Sequence, residues 1–329
     1  CSVLTGRYYG LSDGLTAEPT SVLANSGRER WRSGAAGSAL PGRTCHTPRM
    51  ASSGNSTGIV EKIRSDIQSR VGSAKFFKAF LAKYWYPIVT KRLMEDNHYF
   101  LNWGYEEEPP LGIPLDPADE PNRYYIQLYH RTVAQGDIKG KDVLEASCGH
   151  GGGASYLVRT FQPATYTGLD YNAEGVKYCQ KTHHLPGLTF VHGNAEDLPF
   201  PAESFDAVVN VEASHNYPTF TKFLDEVARV LRPGGQLLFA DMRFREDVAE
   251  WEAELANSPL RITSERVINE DVMRGLEKNA TRGMDLIRRH LPKFMHNFAR
   301  DFAAVPGSRS YNNLENGKMS YRMYCLVKD

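Results

Sequence analysis

The sequence predicts an α/β protein built on a doubly wound, mostly parallel sheet. From residue 141 onward, short apolar segments alternate with longer amphipathic segments, a pattern typical of βαβ units whose strands lie parallel. The second observation is the stretch DVLEASCGHGGGASYL at 142–157, where a strand pattern changes to a helix pattern across a glycine-rich turn. Together they predict a sheet with helices on both faces and a ligand turn after its first strand.

Six strands are visible within the alternation. They are predicted at 141–147, 164–171, 188–195, 205–213, 236–243 and 320–329. Helices are predicted before and between them at 124–136, 152–161, 172–185 and 220–235, the last of which ends at Pro-Gly-Gly. A further helical section is expected over about 245–300.

Composition divides the chain into three regions. Residues 1–55 are rich in Ser, Gly, Arg, Ala and Pro, and we expect them to be disordered or non-native, with the true start at Met50. An Arg-rich transit peptide within 1–49 is the alternative, less favoured because no amphipathic Arg helix is visible. Residues 56–135 are predicted to form a helical lid or substrate region, and 136–329 the ligand-binding domain.

The aromatic segment at 76–88 carries two interpretations of equal weight. It forms either the wall of an apolar substrate pocket or a helix packed on the main domain. A membrane-facing surface is a third, less favoured interpretation.

Composition and charge exclude several classes of protein. Thirty-nine basic residues balance thirty-nine acidic ones, which argues against a nucleic-acid binder. No apolar run is long enough to cross a membrane, although peripheral contact stays open. The five cysteines are scattered, which favours a reducing, cytoplasmic setting, and no metal-ligand spacing is visible. The sequence predicts no particular oligomeric state.

Three strand ends carry groups that suit a nucleoside ligand. Gly149 and Gly151, followed by Gly152 and Gly153, would let the backbone approach a ligand closely. Asp170 ends the second strand, where a carboxylate can accept hydrogen bonds from both hydroxyls of a ribose. At the end of the third strand, the amide of Asn194 could form hydrogen bonds with the edge of an adenine. Glu145, inside the end of the first strand, would repel a pyrophosphate but pair with an ammonium group. This favours an adenosyl ligand with an amino-acid tail over a dinucleotide.

The glycine turn, the strand-end acid and the helix-ending LRPGG at 231–235 resemble class I S-adenosylmethionine-dependent methyltransferases. The lines NWGYEEEPP, SCGHGGGASYL, YTGLDYN and VEASHNYP further resemble the mycobacterial phthiotriol/phenolphthiotriol dimycocerosates methyltransferases, over most of 80–329. The resemblance implies a Rossmann-like, seven-stranded methyltransferase fold and S-adenosylmethionine as cofactor. Ser147 stands where the family has its first glycine, and Asn194 where it has an acid. The candidate cofactor contacts are Glu145, Ser147, Cys148, Gly149, Gly151, Asp170, Tyr171, Asn172, Asn194, Ala195, Glu196 and Tyr105.

A candidate general base lies in the line VEASHNYP. His215 follows the fourth strand and so falls at the same sheet edge as the glycine turn, and an imidazole can accept a hydroxyl proton near neutral pH. Asp241 ends the next strand and could orient the ring, although a helix cap or a salt bridge is an equal interpretation.

The sequence therefore predicts an enzyme that methylates a hydroxyl on a lipid or another apolar small molecule. Two alternatives stay open: C- or N-methylation of a sterol-like or amine substrate, and S-adenosylmethionine binding without catalysis.

Overall fold

The computed structural model describes residues 99–329. The expectations for 1–55, for the aromatic segment at 76–88 and for most of the helical region at 56–135 lie outside these residues. After an extended segment and a short 3-10 helix, Glu120–Asn122, the described chain enters its first helix, α1, at Arg123–Val133.

Seven strands form one sheet within the described residues. They are β1 Asp142–Ala146, β2 Thr165–Asp170, β3 Leu188–His192, β4 Phe205–Val211, β5 Leu231–Phe244, β6 Arg261–Val267 and β7 Met319–Val327. Their order across the sheet is β3-β2-β1-β4-β5-β7-β6. The pairs among β1 to β5 are parallel, whereas β7 runs antiparallel to both β5 and β6. The mostly parallel, seven-stranded sheet is therefore confirmed.

Helices cover both faces of the sheet. The helices that follow α1 are α2 Gly152–Phe161, α3 Ala173–Thr182, α4 Phe220–Val230, α5 Val248–Ala256, α6 Asn269–His290, α7 His296–Phe302 and α8 Arg309–Glu315. One buried core joins the sheet to α1, α2, α3 and α6, and a second joins it to α4 and α5. Each core takes alternate residues of a strand: Val143 of β1 lies in the first core, and Leu144 lies in the second.

The sheet topology places the site. The chain builds β1, β2 and β3 outward in one direction and then returns to add β4 on the other side of β1. Strand order reverses between β1 and β4, and ligands of open α/β sheets bind beyond the carboxyl ends of the strands at such a point. The ends of β1, β2 and β4, together with Asp241 of β5, meet at this edge.

Two features differ from the sequence-based expectations. Strand β6 lies inside the section expected to be helical at 245–300. It is an edge strand whose residues, RITSERV, alternate between exposed and half-buried, so its sequence shows no apolar alternation. Helix α4 ends at Val230 instead of 235, and the following residues are extended, with Gly234 at a φ of 78°. A register shift opposite 205–207 keeps Arg232–Gly235 out of the β4–β5 ladder.

Candidate active site

The glycine-rich turn after β1 has a left-handed backbone at three positions. Ser147, Gly149 and Gly151 have φ values of 65°, 57° and 77°. Asp170, at the end of β2, fixes this turn: its Oδ2 accepts the Gly149 N–H at 2.9 Å, and its Oδ1 accepts the Asn172 N–H at 2.8 Å. A left-handed backbone favours glycine, so Ser147 has a backbone conformation that residues other than glycine rarely adopt.

Three of the four glycines in this turn pack closely against protein atoms, so packing within the protein also requires a residue without a side chain there. A Cβ at Gly151 would lie 2.7 Å from His183, and one at Gly153 would lie 2.2 Å from the Tyr129 ring. At Gly152 it would lie 2.8 Å from Tyr99. Gly149 has more room, because the nearest atom, in the Leu101 side chain, lies 3.3 Å away. Of the four glycines, Gly149 is therefore the one whose Cβ position is least crowded by protein atoms.

Glu145 is a buried carboxyl group at the end of β1. Its Oε2 accepts a hydrogen bond from the Tyr166 hydroxyl at 2.9 Å, whereas no described residue donates one of normal geometry to its Oε1. Burial raises the pKa of Glu145 to about 7, and the hydroxyls of Tyr166 and Tyr129 offset this only in part. A cationic group beside Oε1 would relieve both the missing hydrogen bond and the cost of the buried charge.

The turn after β3 holds Asn194, Ala195 and Glu196. Asn194 Oδ1 accepts the Glu196 N–H at 3.0 Å, Ala195 is buried, and Glu196 Oε1 accepts the Thr219 N–H at 2.5 Å. In this arrangement Glu196 joins the β3 turn to the start of α4. The side chain of Asn194 therefore shapes its own loop, and the Asn194 carbonyl accepts the Asp197 N–H at 3.1 Å.

Three further candidates are Cys148, within the glycine turn, and Tyr171 and Asn172, just after β2. The Cys148 side chain points into the sheet, where a Cβ added to Gly168 would lie 2.9 Å from its Sγ, so only its backbone can face a ligand. Tyr171 is 60% exposed beyond β2, with its ring 6.3 Å from the ring of His192. Asn172 caps helix α3, because its Oδ1 accepts the Glu174 N–H.

A cover segment, residues 99–106, crosses the strand ends. Leu101 lies over Gly149, and the Trp103 N–H donates to Glu212 Oε2 at 2.5 Å just after β4. Gly104 packs backbone to backbone against Gly275 of α6. Tyr105 is fully buried at the α6 end of the segment, where its hydroxyl donates to Glu107 at 2.7 Å.

Tyr105, predicted to contact the cofactor, is instead buried away from the glycine turn. The structure does not bring Tyr105 to the glycine turn; Leu101 and Tyr99 of the same segment lie there instead. Burial and the hydrogen bond to Glu107 raise the pKa of Tyr105, so its hydroxyl stays protonated and tied to that partner.

His215 and Asp241 meet beyond β4 and β5. His215 Nδ1 lies 2.7 Å from Asp241 Oδ1, and the His215 backbone N–H donates to Asp241 Oδ2 at 2.9 Å. Because an ionised carboxylate only accepts, Nδ1 carries the proton and the Nε2 lone pair points away from Asp241. Asn216 Nδ2 lies 2.8 Å from that Nε2. The imidazole is fixed at one nitrogen and open to an exchangeable partner at the other.

Asp241 stays ionised although it is fully buried. Burial raises the pKa of its carboxyl, but His215, Arg243 and the Ser214 hydroxyl together hold that pKa well below its usual range. Ser214 Oγ donates to Asp241 Oδ2 at 2.6 Å, and Arg243 Nη1 lies 3.4 Å from the same oxygen. This environment keeps a permanent negative charge behind the imidazole.

The His215 loop contacts the glycine turn directly. The hydroxyls of Tyr217 and Ser147 lie 2.7 Å apart, and Asn210 Nδ2 donates to the same Tyr217 oxygen at 2.8 Å. Asn210 also donates to the backbone carbonyl of Ala146, the last residue of β1. The candidate base and the ligand turn therefore belong to one hydrogen-bonded unit.

Several residues of this site were missed by sequence reasoning. Glu212 has a φ of 54° at the end of β4, and burial raises the pKa of its carboxyl well above the ordinary range. The sequence signal for Glu212 was an acidic residue directly after an apolar strand, in the same motif, VEASHNYP, as His215. The other missed residues are Leu101, Trp103, Tyr129, Tyr166, Asn210, Ser214, Tyr217 and Arg243.

The sheet order, the glycine turn and the acids at the strand ends define a methyltransferase of the Rossmann-like class. A model of the methyltransferase domain matches residues 144–239. The chain is 55% identical over 261 residues to the phthiotriol/phenolphthiotriol dimycocerosates methyltransferase of Mycobacterium tuberculosis, covering 79% of this chain and 96% of that protein. It is 54% identical to the fatty-acid O-methyltransferase of Mycolicibacterium smegmatis, over 74% of this chain and 88% of that one.

Solved structures agree with the fold. The putative sarcosine dimethylglycine methyltransferase of Galdieria sulphuraria superposes with a TM-score of 0.58 at 14% identity, covering 74% of this chain and 98% of that one. The chain belongs to the family of the phthiotriol/phenolphthiotriol dimycocerosates methyltransferases, and it is an enzyme that transfers methyl groups.

Residues 99–329 contain neither a metal site nor a membrane-spanning helix. Within that range no cluster of His, Cys, Asp or Glu could hold a metal ion. The helices of the same range are all too short or too polar to cross a bilayer.

Proposed function

We propose that this protein transfers the methyl group of S-adenosylmethionine to a hydroxyl group of a lipid or another apolar small molecule. The observation that carries the proposal is the pair formed by His215 and Asp241, with 2.7 Å between Nδ1 and Oδ1, on a loop bonded to the glycine turn. An alcohol needs a proton acceptor when it attacks, and this pair provides one at the strand edge.

The residues around the glycine turn fit the cofactor. Glu145 Oε1, buried and without a hydrogen bond of normal geometry from the described residues, would pair with the ammonium group of the amino-acid tail. Asp170, whose carboxylate already accepts the N–H groups of Gly149 and Asn172 at this strand end, would accept the ribose hydroxyls. Further contacts would come from the Gly149 backbone, the Tyr171 ring and the backbone of 194–196. When bound, the cofactor supplies an electrophilic methyl group on a sulfonium.

The protein's own residues would contribute to the reaction by accepting the proton of the acceptor hydroxyl. Asp241 holds the His215 proton at Nδ1, so the lone pair at Nε2 faces the acceptor side. An incoming hydroxyl would take the place of the Asn216 amide as the donor to Nε2. His215 Nε2 would accept the hydroxyl proton as the oxygen takes the methyl group, and the cofactor would leave as the neutral thioether once its sulfur–methyl bond breaks. The Asp241 carboxylate then stabilises the imidazolium.

The acceptor class rests on the relatives. One relative is named for phthiotriol and phenolphthiotriol dimycocerosates, and the other for fatty acids. Both are long-chain lipids, and this supports an apolar acceptor. The fatty-acid relative favours a second candidate, in which the acceptor is a carboxylate. A carboxylate is ionised at neutral pH and needs no base, so the two candidates differ in their dependence on His215.

The proposal is tested with labelled S-adenosylmethionine and two matched acceptors, a long-chain secondary alcohol and a fatty acid of equal length. Methyl ether formation on the alcohol supports it. Turnover of the acid alone would replace it with the second candidate. Methylation of a sterol-like carbon or an amine would overturn it, as would cofactor binding without any product.

A further inference from the structure

The segment from the end of α6 through α7 exposes a row of aromatic side chains. Phe294, Phe298 and Phe302 are 66%, 52% and 38% exposed, and they are spaced four residues apart. Residues at this spacing lie on one side of a helix, so the three rings form a continuous ridge. We call 286–302 the basic-aromatic segment.

The opposite side of the segment is anchored in the protein. Met295 and Ala299 are buried, also four residues apart, and Ala299 packs with Ile287 of α6 in a small separate core. His296 Nε2 lies 2.9 Å from the Leu291 carbonyl oxygen, which fixes the bend between the two helices. The aromatic ridge is therefore held outward by a packed inner face.

The segment is more basic than acidic. Arg288, Arg289, Lys293 and Arg300 lie within it against the single acid Asp301, and Arg289 Nη2 lies 3.8 Å from Asp285 just before the segment. Three of these cations, Arg288, Lys293 and Arg300, line an open groove of about 700 Å³ whose apolar wall includes Met284 and Leu291. A groove with three cations and an apolar wall suits a phosphate group that is attached to hydrocarbon.

The ridge is continuous with the active site. The carbonyl of Phe302 accepts the indole N–H of Trp103 at 3.1 Å, and the Trp103 backbone N–H donates to Glu212 beyond β4. Glu212 lies three residues before His215 in the chain, so Trp103 links the end of the ridge to the start of the loop that carries the candidate base.

We propose that the basic-aromatic segment docks this protein on the surface of an anionic phospholipid bilayer. The phenylalanine rings enter the interface between headgroups and acyl chains, and the cations of the groove contact lipid phosphates. Charge complementarity selects an anionic surface, since its lipid phosphates attract the three cations of the groove. The link to a lipid acceptor rests on the function proposed above, whereas the docking itself does not.

The test is co-sedimentation of the full-length protein with vesicles, without cofactor or acceptor. We expect binding to vesicles of phosphatidylglycerol and phosphatidylcholine, and much weaker binding to phosphatidylcholine alone. The double variant Arg288→Glu, Lys293→Glu should bind at least about tenfold more weakly, because each cation near an anionic surface contributes roughly fivefold. Phe298→Ser should weaken binding about tenfold through the loss of buried apolar area.

Two variants serve as matched controls on distant surfaces. Lys222→Glu reverses an exposed charge on α4, and Val267→Ser removes an apolar side chain that is 60% exposed on β6. Neither should change vesicle binding. Melting temperatures should be the same for all variants, because every substituted side chain reaches solvent.

Three outcomes would overturn the proposal. In the first, wild-type protein fails to bind the anionic vesicles while it still methylates a detergent-dispersed acceptor; docking then fails and the proposed function stands. In the second, the Phe298 and charge-reversal variants bind like the controls. In the third, sedimentation shows that the same variants dissociate a dimer, which would make the ridge an interface between two copies of this chain.

Discussion

The buried carboxyl of Glu145 gives a prediction whose size follows from the structure. Its pKa rises from an ordinary 4.5 to about 7 in the folded protein, chiefly through burial. Between these two values the unfolded chain loses the proton and the folded chain keeps it, so stability falls as the pH rises through this window. At roughly 1.4 kcal/mol per pH unit, the total loss is about 3 kcal/mol, complete above pH 7.

The variant Glu145→Gln removes this loss, because an amide does not ionise. Without cofactor, the variant and the wild type should have similar stability near pH 4.5, and the variant should be about 3 kcal/mol more stable at pH 8. For a domain of this size that difference raises the melting temperature by roughly 6–12 °C. The same variant should bind S-adenosylmethionine more weakly, since it cannot pair with an ammonium group.

Thermal unfolding at pH 4.5, 6 and 8, with the cofactor removed, measures the first effect, and calorimetry measures the second. The control is Glu174→Gln, an exposed acid on α3, which should change neither property. A stability difference between Glu145→Gln and wild type that does not grow with pH would refute the reasoning. Tighter or unchanged cofactor binding by the variant would refute the assigned role of Glu145.

Three further predictions concern the same site and the N-terminal region. Asp170→Ala should weaken S-adenosylmethionine binding at least ~10-fold in calorimetry, because it removes a charged acceptor and frees the Gly149 turn; unchanged affinity in a folded variant would contradict it. Asp241→Asn should lower kcat without abolishing cofactor binding, and combining it with His215→Ala should give a rate no lower than His215→Ala alone; a further drop would show that the two act separately. A chain that starts at Met50 should keep its melting temperature and its activity, since 1–49 show no foldable pattern.

Sequence reasoning succeeded where local pattern and strand topology determine position. Helix α2 begins and ends at the predicted residues, 152 and 161, because a glycine turn precedes it and its apolar residues repeat at helical spacing. His215 and Asp241 could be expected to meet because His215 follows β4 and Asp241 lies on the adjacent parallel strand, β5, near the same edge of the sheet. Ala240 of β5 pairs with Val211 of β4, which brings the residues just beyond them together.

The rest depended on contacts between distant parts of the chain. The Trp103 N–H reaches Glu212 across 109 residues, and no periodicity in either segment signals the pair. The Tyr129 ring fills the space that Gly153 leaves open, so a packing requirement resembled a ligand requirement in the sequence. Strand β6 was missed because a polar edge strand lacks the apolar alternation on which strand prediction relies.

The central claim is that His215 accepts the hydroxyl proton during methyl transfer, and the kcat of His215→Ala on a long-chain alcohol tests it most directly. The matched control is His184→Ala, an exposed histidine after α3. Loss of a general base should lower kcat by ~10²–10⁴-fold. Cofactor affinity should stay unchanged, and so should turnover by the control. A His215→Ala enzyme with near-normal kcat on the alcohol would contradict the account, because methyl transfer would then rest on the alignment of the reactants alone.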